Sequence, residues 1–179
     1  MEHNKEFLNL ILDRRSCRSF RPDLPDRPTL AAIVEAGRFA PSAQNCQLTR
    51  FYVITDPKVL AGITDTVSRR MKHYAGRDCR YGAPVLILVT NSKSNSLALQ
   101  DTSCAMENMM LAASALGLGS CWINQPHHLT DDPEMRALLA PIGVTEDEVI
   151  CASLSLGWPA DPVHPGRKEH KGNPVFWVG

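Results

Sequence analysis

Residues 84–90 read Pro-Val-Leu-Ile-Leu-Val-Thr, apolar almost from end to end. In a strand, successive side chains point to opposite faces, so an unbroken apolar run needs cover on both sides. A sheet with one face in water is therefore excluded at this point, and helices must supply the covering layers. One of them is easy to find. Over residues 97–116, Leu99, Ala105, Met106, Met109, Met110, Ala113 and Leu116 keep a 3.6-residue period, few charges interrupt them, and Gly117 stops the helix. So few charges predict a central position for this helix.

The remaining pattern fits around that pair. Phe7, Leu8, Ile11 and Leu12 form an apolar stripe in a helix over residues 4–12. Thr29 is an expected N-cap for a helix over 30–39, which Pro41 closes. Residues 51–55 form a short strand, and Asp56-Pro57 starts a helix running to about residue 68. Further strands are expected at 121–124 and 149–156. Asp131 with Glu134 suggests a capping box for a helix to Leu139, and the acids at 146–148 read as another helix first turn. Strands alternating with helices predict a layered α/β or α+β domain, single over residues 1–179.

Composition narrows the class. The chain has 179 residues, 19 Lys+Arg against 19 Asp+Glu, and 44% hydrophobic residues. A balanced charge argues against a whole-surface nucleic-acid binder, and no apolar run approaches the ~20 residues of a membrane-spanning helix. A soluble cytoplasmic protein is expected, with no nucleic-acid or membrane partner. The six cysteines show no CxxC spacing and no histidine at zinc-ligand distance, so buried free thiols are expected and no metal site. The balance is a sum of opposed patches. Residues 14–21 carry four basic groups and no acid, 69–80 carry five against one acid, and 129–148 hold six acids against one arginine.

Three segments carry groups suited to chemistry. Arg14, Arg15, Ser16 and Arg18 gather three guanidiniums and a hydroxyl, donors that match phosphate oxygens. Taken alone they also suit a solvated basic loop. In the segment Ala40-Pro41-Ser42-Ala43-Gln44-Asn45-Cys46-Gln47, Ser42, Gln44, Asn45 and Gln47 offer neutral hydrogen-bonding groups able to read a polar, uncharged ring. Gly117 and Gly119 lead into Ser120, Cys121, Trp122, Ile123 and Asn124, where a main chain without Cβ atoms could approach a flat ligand. No GxSxG, Walker or HExxH motif is present, and the neighbouring His127 and His128 point apart.

In order and spacing, three segments together resemble the FMN-dependent nitroreductase family: Arg14-Arg15-Ser16-x-Arg18-x-Phe20, Ala40-Pro41-Ser42-Ala43-x-Asn45-x-Gln47, and the stretch from Asp101 to Trp122 ending Leu-Gly-Leu-Gly-Ser-Cys-Trp. The likeness runs from Leu10 to Lys168. It implies a three-layer α/β/α fold with a central mixed, mainly antiparallel sheet, and a homodimer with FMN at the interface. It implies Arg14, Arg15, Ser16 and Arg18 as contacts from one subunit, and Pro41, Ser42, Ala43, Asn45 and Gln47 as contacts from the other. It further implies the main chain around Cys121, Trp122, Ile123 and Asn124 beside the ring, and Arg167 and Lys168 returning to the phosphate.

By the same resemblance, electrons pass from NADH or NADPH through FMN to a small electron-poor acceptor such as a nitroaromatic or quinone. The cofactor carries the chemistry, so no catalytic side chain is required. Arg18, or a residue of the basic stretch 69–80, is expected to place positive charge near the ring. Alternatives are a non-catalytic flavin-binding or flavin-sensing module, specialised chemistry such as dehalogenation or flavin fragmentation, or a phosphate-ester-binding domain without flavin. The chain departs from the family in Asn124, in the short link at 92–96 and in a short tail after Lys168. These predict an open cleft and a loose or unusual substrate range.

Overall fold

The computed structural model describes residues 2–161 and 171–179, with side chains described from Lys5 onward. Arg167 and Lys168 lie outside the described residues. Strands β1 (Arg50–Ile54), β2 (Val85–Ser92), β3 (Gly119–Ile123) and β4 (Glu148–Gly157) form a sheet in the order β1-β2-β4-β3. All three pairings are antiparallel. The only parallel element among the described residues is a single bridge between Ser16 and Ser120. The sheet is thus mixed only by that bridge.

As its composition requires, β2 is covered on both faces. Val85, Ile87 and Val89 join one core cluster, and Leu86 and Leu88 join the other. The first cluster takes Leu30 and Ile33 of helix α2 (Arg27–Arg38) and Met106, Met109, Met110 and Ala113 of α4 (Ala98–Ala115). The second takes Leu60, Ile63 and Val67 of α3 (Pro57–Arg70) and Met135 and Leu139 of α5 (Pro133–Leu139). Helix α1 (Glu2–Asp13) packs beside α4. This makes the three-layer α/β/α arrangement.

On β4 the face assignment departs from simple alternation. Ala152, Leu154 and Leu156 face the first cluster, yet Ile150, two positions earlier, faces the second. The pairing explains it: Val89 opposes Ala152 while Thr90 opposes Ile150, so Cys151 is an extra residue in a β-bulge. A bulge shifts the parity of every side chain before it.

Several expectations need correction. Helix α2 begins at Arg27, and its cap is Asp26, whose carboxylate accepts from Thr29 N at 2.9 Å. Helix α5 is capped by Asp132, which accepts from Glu134 N and Met135 N, whereas Asp131 pairs with Lys93 and Arg136. Glu148 opens β4 and is buried, so it belongs to no helix turn. Leu99 on α4 and Leu116, which caps its end, are exposed. Among the described residues no helix is long and apolar enough to cross a membrane, and no group of three or more His, Cys, Asp or Glu could hold a metal ion.

Glu148 locks the frame at the bulged end of the sheet. Its carboxylate accepts from Arg50 Nη1 at 2.7 Å, Tyr52 Oη at 2.9 Å, Thr145 N at 3.0 Å and the Thr90 hydroxyl. Burial alone would push this carboxyl up. The hydrogen bonds from Thr90, Thr145 and Tyr52 outweigh that and hold it at about 2.

Candidate functional site

The basic segment begins where α1 ends. Arg15 turns back onto the helix it follows, its Nη1 donating to Leu12 O at 2.8 Å and Arg14 O at 2.7 Å, carbonyls that the helix end leaves open. Arg14 lies deeper. Its Nε is 3.3 Å from Glu107 Oε1 on α4, but the N–H is not aimed at that oxygen and remains a buried donor without a hydrogen bond. A buried guanidinium N–H left in that condition is costly unless a further acceptor reaches it. Ser16 is exposed beside its bridge to Ser120. Arg18 is exposed as well, with its guanidinium carbon 5.8 Å from the centroid of the Tyr81 ring.

Arg14 and Arg15 line a cleft of about 310 Å³ with Leu10, Gly117, Gly119 and Ser120. Gly117 has φ +77°, the left-handed conformation that ends α4, and Leu118 N closes the turn on Ala113 O at 2.8 Å. Gly119 serves a different purpose from the one expected. A Cβ there would stand 2.6 Å from both Cβ and Sγ of Cys17, so the close approach is made by the basic loop itself. Along β3, the Cys121 and Ile123 side chains join the second core cluster and Trp122 packs on the first. Burial raises the Cys121 thiol above its ordinary value. What Cys121 and Ile123 can offer a ligand is therefore main chain. Asn124 is exposed, 3.4 Å from His128 Nε2.

The amide-rich segment occupies a second cleft, of about 470 Å³, lined by Pro41, Ser42, Asn45, Gln47, Phe51 and Asp101 among others. Its backbone is unusual. Gln44, Asn45 and Gln47 have φ of 52°, 55° and 51°, a left-handed conformation that asparagine tolerates but that costs each glutamine roughly 1 kcal/mol or more. Internal bonds shape the turn: Asn45 N to Ser42 O at 2.9 Å, Gln47 N to Ser42 Oγ at 3.0 Å, and Gln47 Nε2 to Asn45 Oδ1 at 2.9 Å. Ala43 is half-buried, and its N–H donates to Asp101 Oδ1 at 2.8 Å.

The two clefts share no lining residue. The segments that line them both reach α4, Arg14 through Glu107 and Ala43 through Asp101. These two acids lie six positions apart, which at 100° per residue puts them about 120° apart around the helix. One chain thus presents the basic and amide segments in two different directions.

The basic stretch 69–80 is largely spoken for. Arg69 pairs with Glu134, Arg70 Nε lies 2.9 Å from Asp132, and Arg80 donates to Thr64 Oγ1 and to Ala83 O. Sequence reasoning had no role for Asp101 beyond marking where a motif began. The clue available was an acid in the first turn of an otherwise apolar helix.

Fold and clefts define an α+β protein with a guanidinium-rich site and an amide-rich site on two sides of one central helix. Residues 11–158 match the Nitroreductase family, and the chain belongs to that family. It is similar to a solved nitroreductase with bound FMN from Bacteroides fragilis, at 33% identity and a TM-score of 0.90, covering 97% of this chain and 99% of that one. A protein of Archaeoglobus fulgidus, provisionally named NADH dehydrogenase/NAD(P)H nitroreductase, is 29% identical over 88% of this chain and 87% of its own. An iodotyrosine deiodinase of Thermotoga neapolitana is 27% identical over 88% and 91% respectively.

Proposed function

We propose that this chain is an FMN-dependent oxidoreductase that takes electrons from NADH or NADPH and delivers them to an electron-poor small molecule such as a nitroaromatic or quinone. Residues 1–179 act as a single FMN-binding domain. The observation that carries this reading is the buried, unbonded Nε–H of Arg14 in a cleft rimmed by guanidiniums. A phosphate monoester is the ligand such donors suit. The Bacteroides fragilis structure with FMN and the NAD(P)H name of the archaeal relative support it.

The residues present fit FMN. Arg14, Ser16 and the helix-end arginine Arg15 suit the phosphate and its linker. The side chains of Ser42, Asn45 and Gln47, with the main chain at 121–124, suit a flat ring whose edges both donate and accept. Arg18, backed by Tyr81, supplies fixed positive charge. When bound, FMN supplies the two-electron chemistry, and the protein's part is to bind, orient and leave one face accessible.

Since one chain turns its two segments in different directions, each flavin is shared by two copies, the basic segment of one meeting the amide segment of the other. Exposed apolar surface supports the homodimer. Phe7, Leu8, Ile11 and Leu12 of α1 are exposed, as is Leu116, and Val175, Phe176, Trp177 and Val178 of the tail are 71–95% exposed. Reductive dehalogenation is a second reading, supported by the Thermotoga relative.

The test begins with the colour of the purified protein. Absorbance bands of oxidised flavin are expected, bleaching under anaerobic NADH or NADPH. Absence of flavin overturns the reading, and flavin that neither nicotinamide bleaches reduces it to a binding module. Arg14→Ala should weaken FMN binding by roughly tenfold to a hundredfold. Iodide release from an iodophenol under the same reducing conditions would favour the second reading.

A further inference from the structure

We propose that Asp101 is the positioning residue of the amide-rich half-site: its carboxylate holds the left-handed segment 42–47 in the shape that presents Ser42, Asn45 and Gln47 to the flavin. The proposal rests on the FMN reading above. The hydrogen bonds that leave this segment for the rest of the chain run to Asp101, from Ala43 N at 2.8 Å and from the Cys46 thiol at 3.8 Å. All the other bonds described for the segment are internal to it. A conformation that side-chain-bearing residues avoid persists only where its surroundings over-determine it.

Asp101 is well placed for this. It is 5% exposed, and none of the described ion pairs includes it. Its second oxygen accepts from Asn95 Nδ2 at 3.0 Å. The same Asn95 amide donates to Asn91 Oδ1 at 3.1 Å, and Asn91 Nδ2 donates to Thr49 Oγ1 at 3.1 Å. Asn95 Oδ1 in turn accepts from Leu97 N just before α4. A continuous run of polar side chains therefore joins the end of β2, the approach to β1 and the start of α4 to the segment. The frame fixes the carboxylate through Oδ2, which also accepts from the Cys46 thiol, while Oδ1 holds Ala43 N of the half-site. In a buried setting such a network is rigid because each member has few other partners. Asp101 lines the cleft wall but acts through Ala43 and Cys46, so its effect on the ring is indirect.

This predicts an effect that relieving backbone strain can reverse. FMN titration of the apoprotein, followed by quenching of flavin fluorescence, should show Asp101→Ala binding roughly tenfold or more weakly, with a shifted visible band in the bound flavin. Glycine adopts positive φ freely, so adding Gln44→Gly should recover a large part of that affinity. Glu148→Gln, at a buried carboxylate that lines neither cleft, should leave FMN affinity within about twofold. If Asp101→Ala does not fold, Asp101→Asn is measured in its place, with a smaller loss in the same direction. Unchanged affinity and spectrum in a folded variant overturn the proposal. So does a loss that Gln44→Gly fails to recover, which would make Asp101 a determinant of folding alone. Failure of the wild-type protein to bind FMN would instead strike the functional reading itself.

Discussion

Asp101 and Glu148 are both carboxylates almost fully removed from water, and each accepts hydrogen bonds from distant parts of the chain. They differ in what lies at the other end. Glu148 gathers donors from β1, β2 and the turn before β4, including a guanidinium, and most of what it holds is regular structure. Asp101 draws on a backbone N–H, an amide and a thiol, and part of what it holds is a turn in a conformation its residues would not choose. Burial alone does not tell a carboxylate that keeps the frame from one that keeps the site. The intrinsic preference of the segment it grips does.

The largest expected effect is on the frame. Glu148→Ala should lower unfolding free energy by about 3 kcal/mol, because it leaves the Thr90 hydroxyl and Thr145 N–H unpaired and takes the acceptor from Arg50, and denaturant titration measures it. A loss under 1 kcal/mol would erase the distinction between the two residues. Next comes acid sensitivity. The Glu148 carboxyl is held at about 2, below its ordinary 4.5, so its contribution is complete above the unfolded value and fades as pH falls through the folded one. Melting temperature should therefore drop between roughly pH 5 and pH 2 in the wild type, and less steeply in Glu148→Gln.

Asp101→Asn should be milder for stability, about 1 kcal/mol, since the amide oxygen can still accept from Ala43 N. Its mark should appear in FMN affinity, and equal losses of stability in Asp101→Asn and Glu148→Gln would count against the contrast. The smallest effect concerns the segment itself. Gln44→Gly in the otherwise unchanged chain should raise stability slightly, by about 0.5 kcal/mol, relief at φ 52° being partly offset by a looser unfolded chain. A clear destabilisation would mean that the left-handed turn is not under strain.

Much of the frame could be read from local pattern. The two-sided burial of β2 follows from its composition, the stop at Gly117 from the need for positive φ, and the Asp56 cap from its place before Pro57. Where the reading failed, distant partners decide. Thr145-Glu146-Asp147-Glu148 has the composition of a helix start, yet Arg50, Tyr52 and Thr90 draw Glu148 into the sheet. Gly119 lines the basic cleft, but the space where its Cβ would stand is filled by Cys17 of the loop after α1, a contact no local pattern showed. The three arginines and the amide-rich turn were visible as residues, while their placement on two sides of α4 follows from packing that no local spacing encodes.

The bulge in β4 makes chain length a determinant in its own right. Cys151 is the surplus residue between Ile150, opposite Thr90, and Ala152, opposite Val89. Shortening the strand by that one residue would straighten the ladder and keep every neighbour on its present face. Deleting a residue from the regular stretch beyond Ala152 would instead turn half the strand inside out, exchanging what each layer of helices meets. Within this strand, tolerance to deletion should therefore be concentrated at a single position, and that position is a buried cysteine.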